Sequence, residues 1–366
     1  MLAEVVFPVA PVEQSGCDEV PGDPVELRLE QCRTALELSE RQPVVVCAEG
    51  VEGRHHFPRT LVGSRAGTQC STKRNQLLEV QVHGTHDDAM SDTTSETPEV
   101  VKASERLLKA AATGMACAPV RDLIGSNDLV AAYAVQARCT AARLAAGATV
   151  VGRKIGLTSK AVQAQIGVDQ PDLGYLFDDM GYNEFDIVPM SRLLQPKAEA
   201  EVAFVLGEDL AEGDLDLARI RGAVDHLTAV IEIVDSRIAG WDITFGDTVA
   251  DNGSSALYVL GSERRTLDEV EPVTVEMTMT RNGEHVSQGN GAACLDDPLN
   301  ALWWLARTAR DFGDPLRAGQ VILSGALGPM VTVNPGDVVT ATISGLGSVT
   351  ATFSRAAGAP SLADKE

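Results

Sequence analysis

The rhythm of hydrophobic and polar positions changes near residue 90. Before it, stretches such as PVEQSGCDEVPGDPVE and CAEGVEGRHHFPRTLVGSRAGTQCSTKRN mix proline, glycine, charge and short apolar scraps with no sustained period of either helix or strand. This predicts a disordered extension over residues 1–96. MSDTTSETPEV, from Met90, reads as a polar N-terminus leading into a helix, so residues 1–89 are expected to be dispensable or an upstream mis-start. Beyond it, apolar residues recur at helical spacing over 99–112 and 127–146, the second stretch opened by Ser126 or Asn127 and closed by Gly147.

The pattern then shifts toward strands. VVGRKIGL is followed by a short helix capped near Ser159 and a loop rich in Asp, Gly and Pro through residue 186. QPKAEAEVAFVL reads as a strand, residues 216–226 as a helix and TAVIEIVDS as a second strand. DDPLNALWWLARTARDFG has acidic caps, Pro298 in its first turn and Gly313 at its end, the signature of a helix. VILSGA, GDVVTATISG and SVTATFS are short strands divided by Gly and Pro turns. The order predicts an α+β fold, a helical segment over 97–149 and a rolled or barrel-like β core over 150–357, together one domain over 97–366.

Two glutamates break the pattern of QPKAEAEVAFVL. Glu199 and Glu201 share one strand face with Ala203 and Val205, while Ala198, Ala200, Val202, Phe204 and Leu206 occupy the other. Neither face looks solvated, and a buried carboxylate costs several kcal/mol unless a cation or donors compensate it. In AVIEIVDSR, Glu232 shares its face with Val230 and Val234. Three inward carboxylates make an all-oxygen site for a hard divalent ion, Mg²⁺ or Mn²⁺. The bland alternative is a solvated edge strand with Glu232 as a lone salt-bridge partner.

VVGRKIGLTSK supplies a second constellation. As a strand it puts Gly152, Lys154 and Gly156 on one face, leaving room for a ligand beside the lysine. Lys154 can then neutralise a substrate carboxylate or assist proton transfer, unless it is an ordinary surface lysine on an edge strand. Other stretches are weaker. Asp172 in VDQPDLGYLFDDM reads first as a turn residue, Asp251, Asn252, Ser254 and Ser255 in DTVADNGSS as a hydrogen-bonding loop, and SGALGPM around Gly325 as a source of backbone amides for an anion or a plain turn. GNGAAC lacks the third glycine of a dinucleotide fingerprint. From residue 90 onward only His226 and His285 remain, neither in a nucleophile motif, which argues against a Ser-His-Asp or Cys-His hydrolase.

Bulk properties narrow the partners. The 366-residue chain is 44% hydrophobic, enough for a sizeable core, and carries a net charge of −22, which opposes binding to nucleic acid or an anionic membrane. MLAEVVFPVAPVEQ lacks a positive n-region, and seven scattered cysteines suit a reducing cytoplasm. No apolar run is long enough for a membrane-spanning helix.

GRKIGLTSKAVQAQIGVDQPDLGYLFDDM, QPKAEAEVAFVL, EIVDSRIAGWDITFGDTVADNGSSALYVLG and SGALGPMVTVNPGD, in this order over about residues 98 to 355, closely resemble the 2-keto-4-pentenoate hydratases of the fumarylacetoacetate hydrolase superfamily. The resemblance implies a mixed β-roll preceded by helices, a divalent metal and a place in meta-cleavage catabolism of aromatic compounds or steroids. By position in the motifs it implies Glu199, Glu201 and Glu232 as metal ligands, Lys154 as active-site lysine, Asp172 as active-site aspartate and Ser254 as a substrate contact. It further implies a 2-hydroxydienoate substrate, a homo-oligomer and association with 4-oxalocrotonate decarboxylase. That decarboxylase is itself the rival reading, with a non-catalytic partner subunit behind it.

Overall fold

The computed structural model describes residues 97–355, apart from 161, 162, 164–167 and 169, all within the compact unit His83–Glu366. The expectations for residues 1–96, and most of the helix expected after Ser159, lie outside the described residues.

Three helices come first. Helix α1, Pro98–Thr113, starts where the Thr97 side chain accepts from the Val100 amide and stops at Gly114 in the left-handed region. A single turn, α2 (Arg121–Ile124), leads to α3 (Leu129–Ala145), whose N-cap is Asp128 rather than Ser126 or Asn127. Val100, Ala103 and Leu107 of α1 and Ala132 and Val135 of α3 form a second apolar cluster with Phe245 and Val249.

The β core consists of two sheets. The larger contains β1 (Val150–Gly156), β2 (Asp172–Phe177), β3 (Gly181–Asn183), β5 (Lys197–Leu206), β6 (Val224–Val234), β7 (Ser255–Leu260), β10 (Val321–Leu323) and β11 (Val331–Thr332). Its order is β2-β1-β10-β5-β6-β7-β3, with β11 also paired to β5. The smaller runs β4-β13-β12-β8-β9 and uses β4 (Ile187–Val188), β8 (Glu276–Arg281), β9 (Glu284–Asn290), β12 (Val338–Ile343) and β13 (Gly347–Phe353). A single buried cluster joins them, with Val202, Phe204, Leu227 and Ile231 from the first and Met279, Val339, Ala341 and Val349 from the second. This is the expected α+β roll.

Several expectations change. The helix expected over 216–226 is only α4 (Leu217–Gly222), because the following residues pair with β5 from Val224 onward. Cross-strand bonding over the whole length of β5 outweighs the weak helical propensity of a short segment. Asp172 begins a strand instead of a turn, and the loop expected through residue 186 contains β2 and β3. The hairpin of β8 and β9 has a legible signal in Asn282-Gly283, both with positive φ of 55° and 85°, the left-handed pair that a tight hairpin turn demands. A further helix, α5 (Phe245–Ala250), opens with a reciprocal cap between Thr244 and Asp247. Helix α6, Pro298–Asp311, follows its sequence signals, with Asp297 as N-cap.

Candidate active site

Sheet register gathers the candidate residues. Glu199 lies directly opposite Glu232 in the β5–β6 ladder, so both side chains leave the same face, and Glu201 joins them two residues along β5. Lys154 pairs with Leu323, and Leu323 pairs with Ala203. Because Ala203 shares the face of Glu199 and Glu201, the lysine does too. On the other side of β1, Gly156 pairs with Asp172, which carries the aspartate to that same face. β5 lies between β10 and β6, and β1 between β2 and β10, so neither is the edge strand that the bland readings required.

The five groups are out of water. Lys154 is 3% exposed, Asp172 1%, Glu199 7%, and Glu201 and Glu232 are fully buried. One carboxylate oxygen from each glutamate falls within 4.8 Å of those of the other two. Glu201 Oε2 accepts from the Gly325 amide at 2.7 Å. Glu201 Oε1, both oxygens of Glu232 and Asp172 Oδ1 lack a hydrogen-bond partner, and Lys154 Nζ, at 3.5 Å from Glu232 Oε1, forms an ion pair rather than a close hydrogen bond. A Cβ on Gly156 would collide with Asp172 Oδ1 and lie 3.2 Å from Lys154 Nζ. Gly156 therefore provides the space in which the aspartate and lysine meet.

Burial governs the electrostatics. It pushes Glu232 up to about 7, against the pull of Lys154, with Glu199 adding to the rise. Burial, then repulsion from Glu232 and Glu199, holds Glu201 well above the carboxylate range. Burial likewise raises Glu199 and Asp172, with Lys154 opposing both. For Lys154 burial pulls downward, but the combined charge of Glu232, Asp172, Glu199 and Glu201 outweighs it, so the ammonium holds its proton above the ordinary lysine range. Three carboxylates sharing one ammonium, with orphaned oxygens converging, form a donor set that fits a hard divalent cation.

Neighbouring loops hold this arrangement in place. The Asn252 side chain accepts from the Tyr175 amide at 2.7 Å and donates to its carbonyl at 3.0 Å, clipping the DTVADNGSS loop onto β2 near Asp172. Gln136 of α3 donates to Leu173 O at 2.8 Å and Val249 O at 2.9 Å, tying the helices to the same strand. Asp251 is paired with Arg237, and it also accepts from the Arg237 amide at 2.9 Å. Ser254, with a left-handed φ of 54°, faces the cavity and its Oγ lies 3.2 Å from Thr248 Oγ1. Gly325 has φ 108°, a conformation that favours glycine, and its amide is engaged by Glu201 rather than turned to an external anion.

Lys154, Asp172, Glu199 and Ser254 line a cavity of about 790 Å³. The sequence reading missed its walls, which include Leu157, Trp241, Ile243, Phe245, Gln288 and Asn290. Gln288 and Asn290 were discoverable through the Asn282-Gly283 hairpin. The aromatic wall had no periodic signal, since Trp241 comes from the irregular segment between β6 and α5 and Phe245 from the first residue of that short helix.

Comparison with known proteins defines the class. Residues 149–354 match the model of the fumarylacetoacetate (FAA) hydrolase C-terminal family. The chain belongs to the fumarylacetoacetate hydrolase family. Over 263 residues it is 53% identical to the TodF product hydratase of Pseudomonas putida F1, covering 72% of this chain and 98% of that protein. It is 51% identical over 252 residues to 2-keto-4-pentenoate hydratase of Paraburkholderia xenovorans LB400, covering 69% of this chain and 94% of that one. Among solved structures, 4-oxalocrotonate decarboxylase of Pseudomonas putida G7, complexed with magnesium and adipate, matches with a TM-score of 0.67 at 34% identity. That match covers 70% of this chain and 97% of the decarboxylase. No helix among the described residues is long and apolar enough to cross a membrane.

Proposed function

We propose that this chain is a 2-oxopent-4-enoate hydratase, adding water to 2-hydroxypenta-2,4-dienoate to give 4-hydroxy-2-oxopentanoate in meta-cleavage catabolism of aromatic compounds or steroids. The observation that carries the reading is the convergence of three buried glutamates, a charged lysine and an aspartate on one sheet face, in a chain about half identical to hydratases. Glu199, Glu201 and Glu232 hold a divalent cation, Mg²⁺ or Mn²⁺. When bound there, the cation supplies positive charge that polarises the substrate's C2 oxygen and stabilises negative charge on it.

The protein side chains do the rest. Lys154 keeps its proton and offers N–H donors to the C1 carboxylate. Asp172 has an unpartnered Oδ1 and a raised proton affinity, so it takes up and returns protons at that atom. In the overall balance the enol proton leaves the C2 oxygen, a proton arrives at C5, and the hydroxyl and a proton of water go to C4 and C3. Ser254 Oγ contributes a hydrogen bond to the substrate, and Gly325 fixes Glu201 through its amide. The reading also includes a homo-oligomer in the cytoplasm that can associate with the decarboxylase, checked by sedimentation of the protein alone and with that enzyme.

The test is the ultraviolet absorbance of freshly generated 2-hydroxypenta-2,4-dienoate with purified protein and Mg²⁺ or Mn²⁺, then with EDTA. Metal-dependent loss of the dienol with 4-hydroxy-2-oxopentanoate as product supports the hydratase. No loss, together with CO₂ release from 4-oxalocrotonate, would establish the decarboxylase instead. Inactivity on both would leave a partner subunit.

A further inference from the structure

The cavity is larger than the proposed parent substrate needs. Its volume of about 790 Å³ falls within the roughly 300–1,000 Å³ of pockets that enclose drug-sized ligands, whereas the parent dienoate ends at an unsubstituted vinyl carbon. The apolar part of its lining includes Trp241, Ile243, Phe245, Leu327 and Met330.

Charge further limits what this space can take. Among the described residues that line the cavity, Lys154 is the one cation, and it faces Glu232 and Asp172. Lys197 does not line it; its ammonium sits 4.1 Å over the Trp241 ring. A second carboxylate on a ligand would lose hydration without gaining a cationic partner.

Trp241 is held in place at a conformational cost. Its φ of 57° is left-handed, an outlier for so bulky a residue. The indole N–H donates to Gln195 O at 3.0 Å, and the Gly240 amide donates to Gln195 Oε1 at 3.0 Å. Gln195 is itself pinned by its amide donating to Asp235 Oδ1 at 2.7 Å and its side chain donating to Ser236 O at 2.9 Å. The segment that positions this ring thus leads directly into β5 and its glutamates. Met330, 45% exposed, adds an adaptable thioether at the rim.

We propose that the wall of Trp241, Ile243, Phe245 and Met330 is a substituent subsite, that it takes an uncharged apolar group on the dienoate's far carbon, and that Trp241 determines its specificity. This rests on the hydratase reading above. It predicts that a propyl-substituted dienoate is a substrate at least as good as the parent and that a dienedioate is rejected.

The experiment measures kcat/KM of the full chain with Mg²⁺ for 2-hydroxypenta-2,4-dienoate, 2-hydroxyocta-2,4-dienoate and 2-hydroxyhexa-2,4-dienedioate, identifying the hydrated products by chromatography. Wild-type protein should hydrate the propyl compound at least as well as the parent and the dienedioate about a hundredfold less well than either. In Trp241→Ala the ratio of propyl to parent kcat/KM should fall about tenfold, and Trp241→Phe should restore most of it. A merely structural tryptophan would lower both substrates alike and leave the ratio fixed. An unchanged ratio in a folded variant, or equal hydration of the dienedioate by the wild type, would overturn the subsite while leaving the hydratase intact. Failure of the wild type on the parent itself would overturn both.

Discussion

Glu201→Gln isolates the metal hypothesis, because the structure sets opposite expectations for fold and function. Glu201 is fully buried, bonded through Oε2 to the Gly325 amide and orphaned at Oε1. In the substituted protein the amide oxygen keeps the Gly325 bond, and the NH₂ replaces the orphaned oxygen with a donor that no cation accepts. Without metal the change should be harmless. Burial and two neighbouring carboxylates already favour the protonated form of Glu201, whose shape glutamine copies. With metal the variants diverge. A cation at a hundredfold excess over its Kd stabilises the native state by about 2.7 kcal/mol. A domain of this size shifts by about 2–4 °C per kcal/mol, so the wild type should gain roughly 5–10 °C in Tm on adding Mg²⁺ or Mn²⁺ after EDTA treatment. The variant should show the EDTA-treated Tm in both conditions and lose metal-dependent turnover. Thermal melts with and without metal, paired with the dienol assay, read both effects. A Glu201→Gln protein that keeps its metal-dependent rise in Tm would refute the ligand assignment.

Other substitutions test the surrounding structure. Gly325→Ala places a Cβ against Thr158 at φ 108°, so it should displace Glu201 and weaken Mg²⁺ affinity about 10–100-fold, measured by calorimetric titration. Lys154→Met should cut kcat/KM by about a hundredfold or more through loss of the carboxylate contact, while the metal-induced rise in Tm survives. Asn252→Ala removes both bonds to Tyr175 and leaves alanine at φ 58°, so it should lower stability by about 2 kcal/mol and loosen the strand that carries Asp172, read in denaturant melts and kcat. Asp247 accepts from the Val120 and Arg121 amides, each at 2.9 Å, and from the Arg121 guanidinium at 2.8 Å. Although burial works against it, the Thr244 and Arg121 donors hold its carboxyl below the usual aspartate range. A depressed folded-state value stabilises the protein above the unfolded aspartate range, and this is lost as pH falls through the folded value. Asp247→Asn should therefore cost about 3 kcal/mol at neutral pH, and the difference in Tm from wild type should shrink below about pH 4.

Much of the fold was readable where local rules act alone. The Asp297 cap, the glycines that follow α3 and α6, and the apolar spacing of α1 and α3 depend on residues within a few positions of one another. The ends of β6 were not readable, because its extension back to Val224 depends on pairing with β5. Nor was the setting of Asp172, whose turn-forming neighbours give no sign that it pairs with Gly156.

That Glu199 and Glu201 share a strand face, that Lys154 stands between two glycines, and that three carboxylates sit among apolar residues with few histidines to replace them follows from residue order alone. Alternation of side chains along a strand and the cost of buried charge are local facts, available without a partner strand. Folding alone sets Glu232 opposite Glu199, turns the Gly325 amide onto Glu201 and brings Trp241 into the cavity wall. Those relations join residues far apart in the chain, and they exist only once sheet register and an irregular connecting segment bring their backbones together.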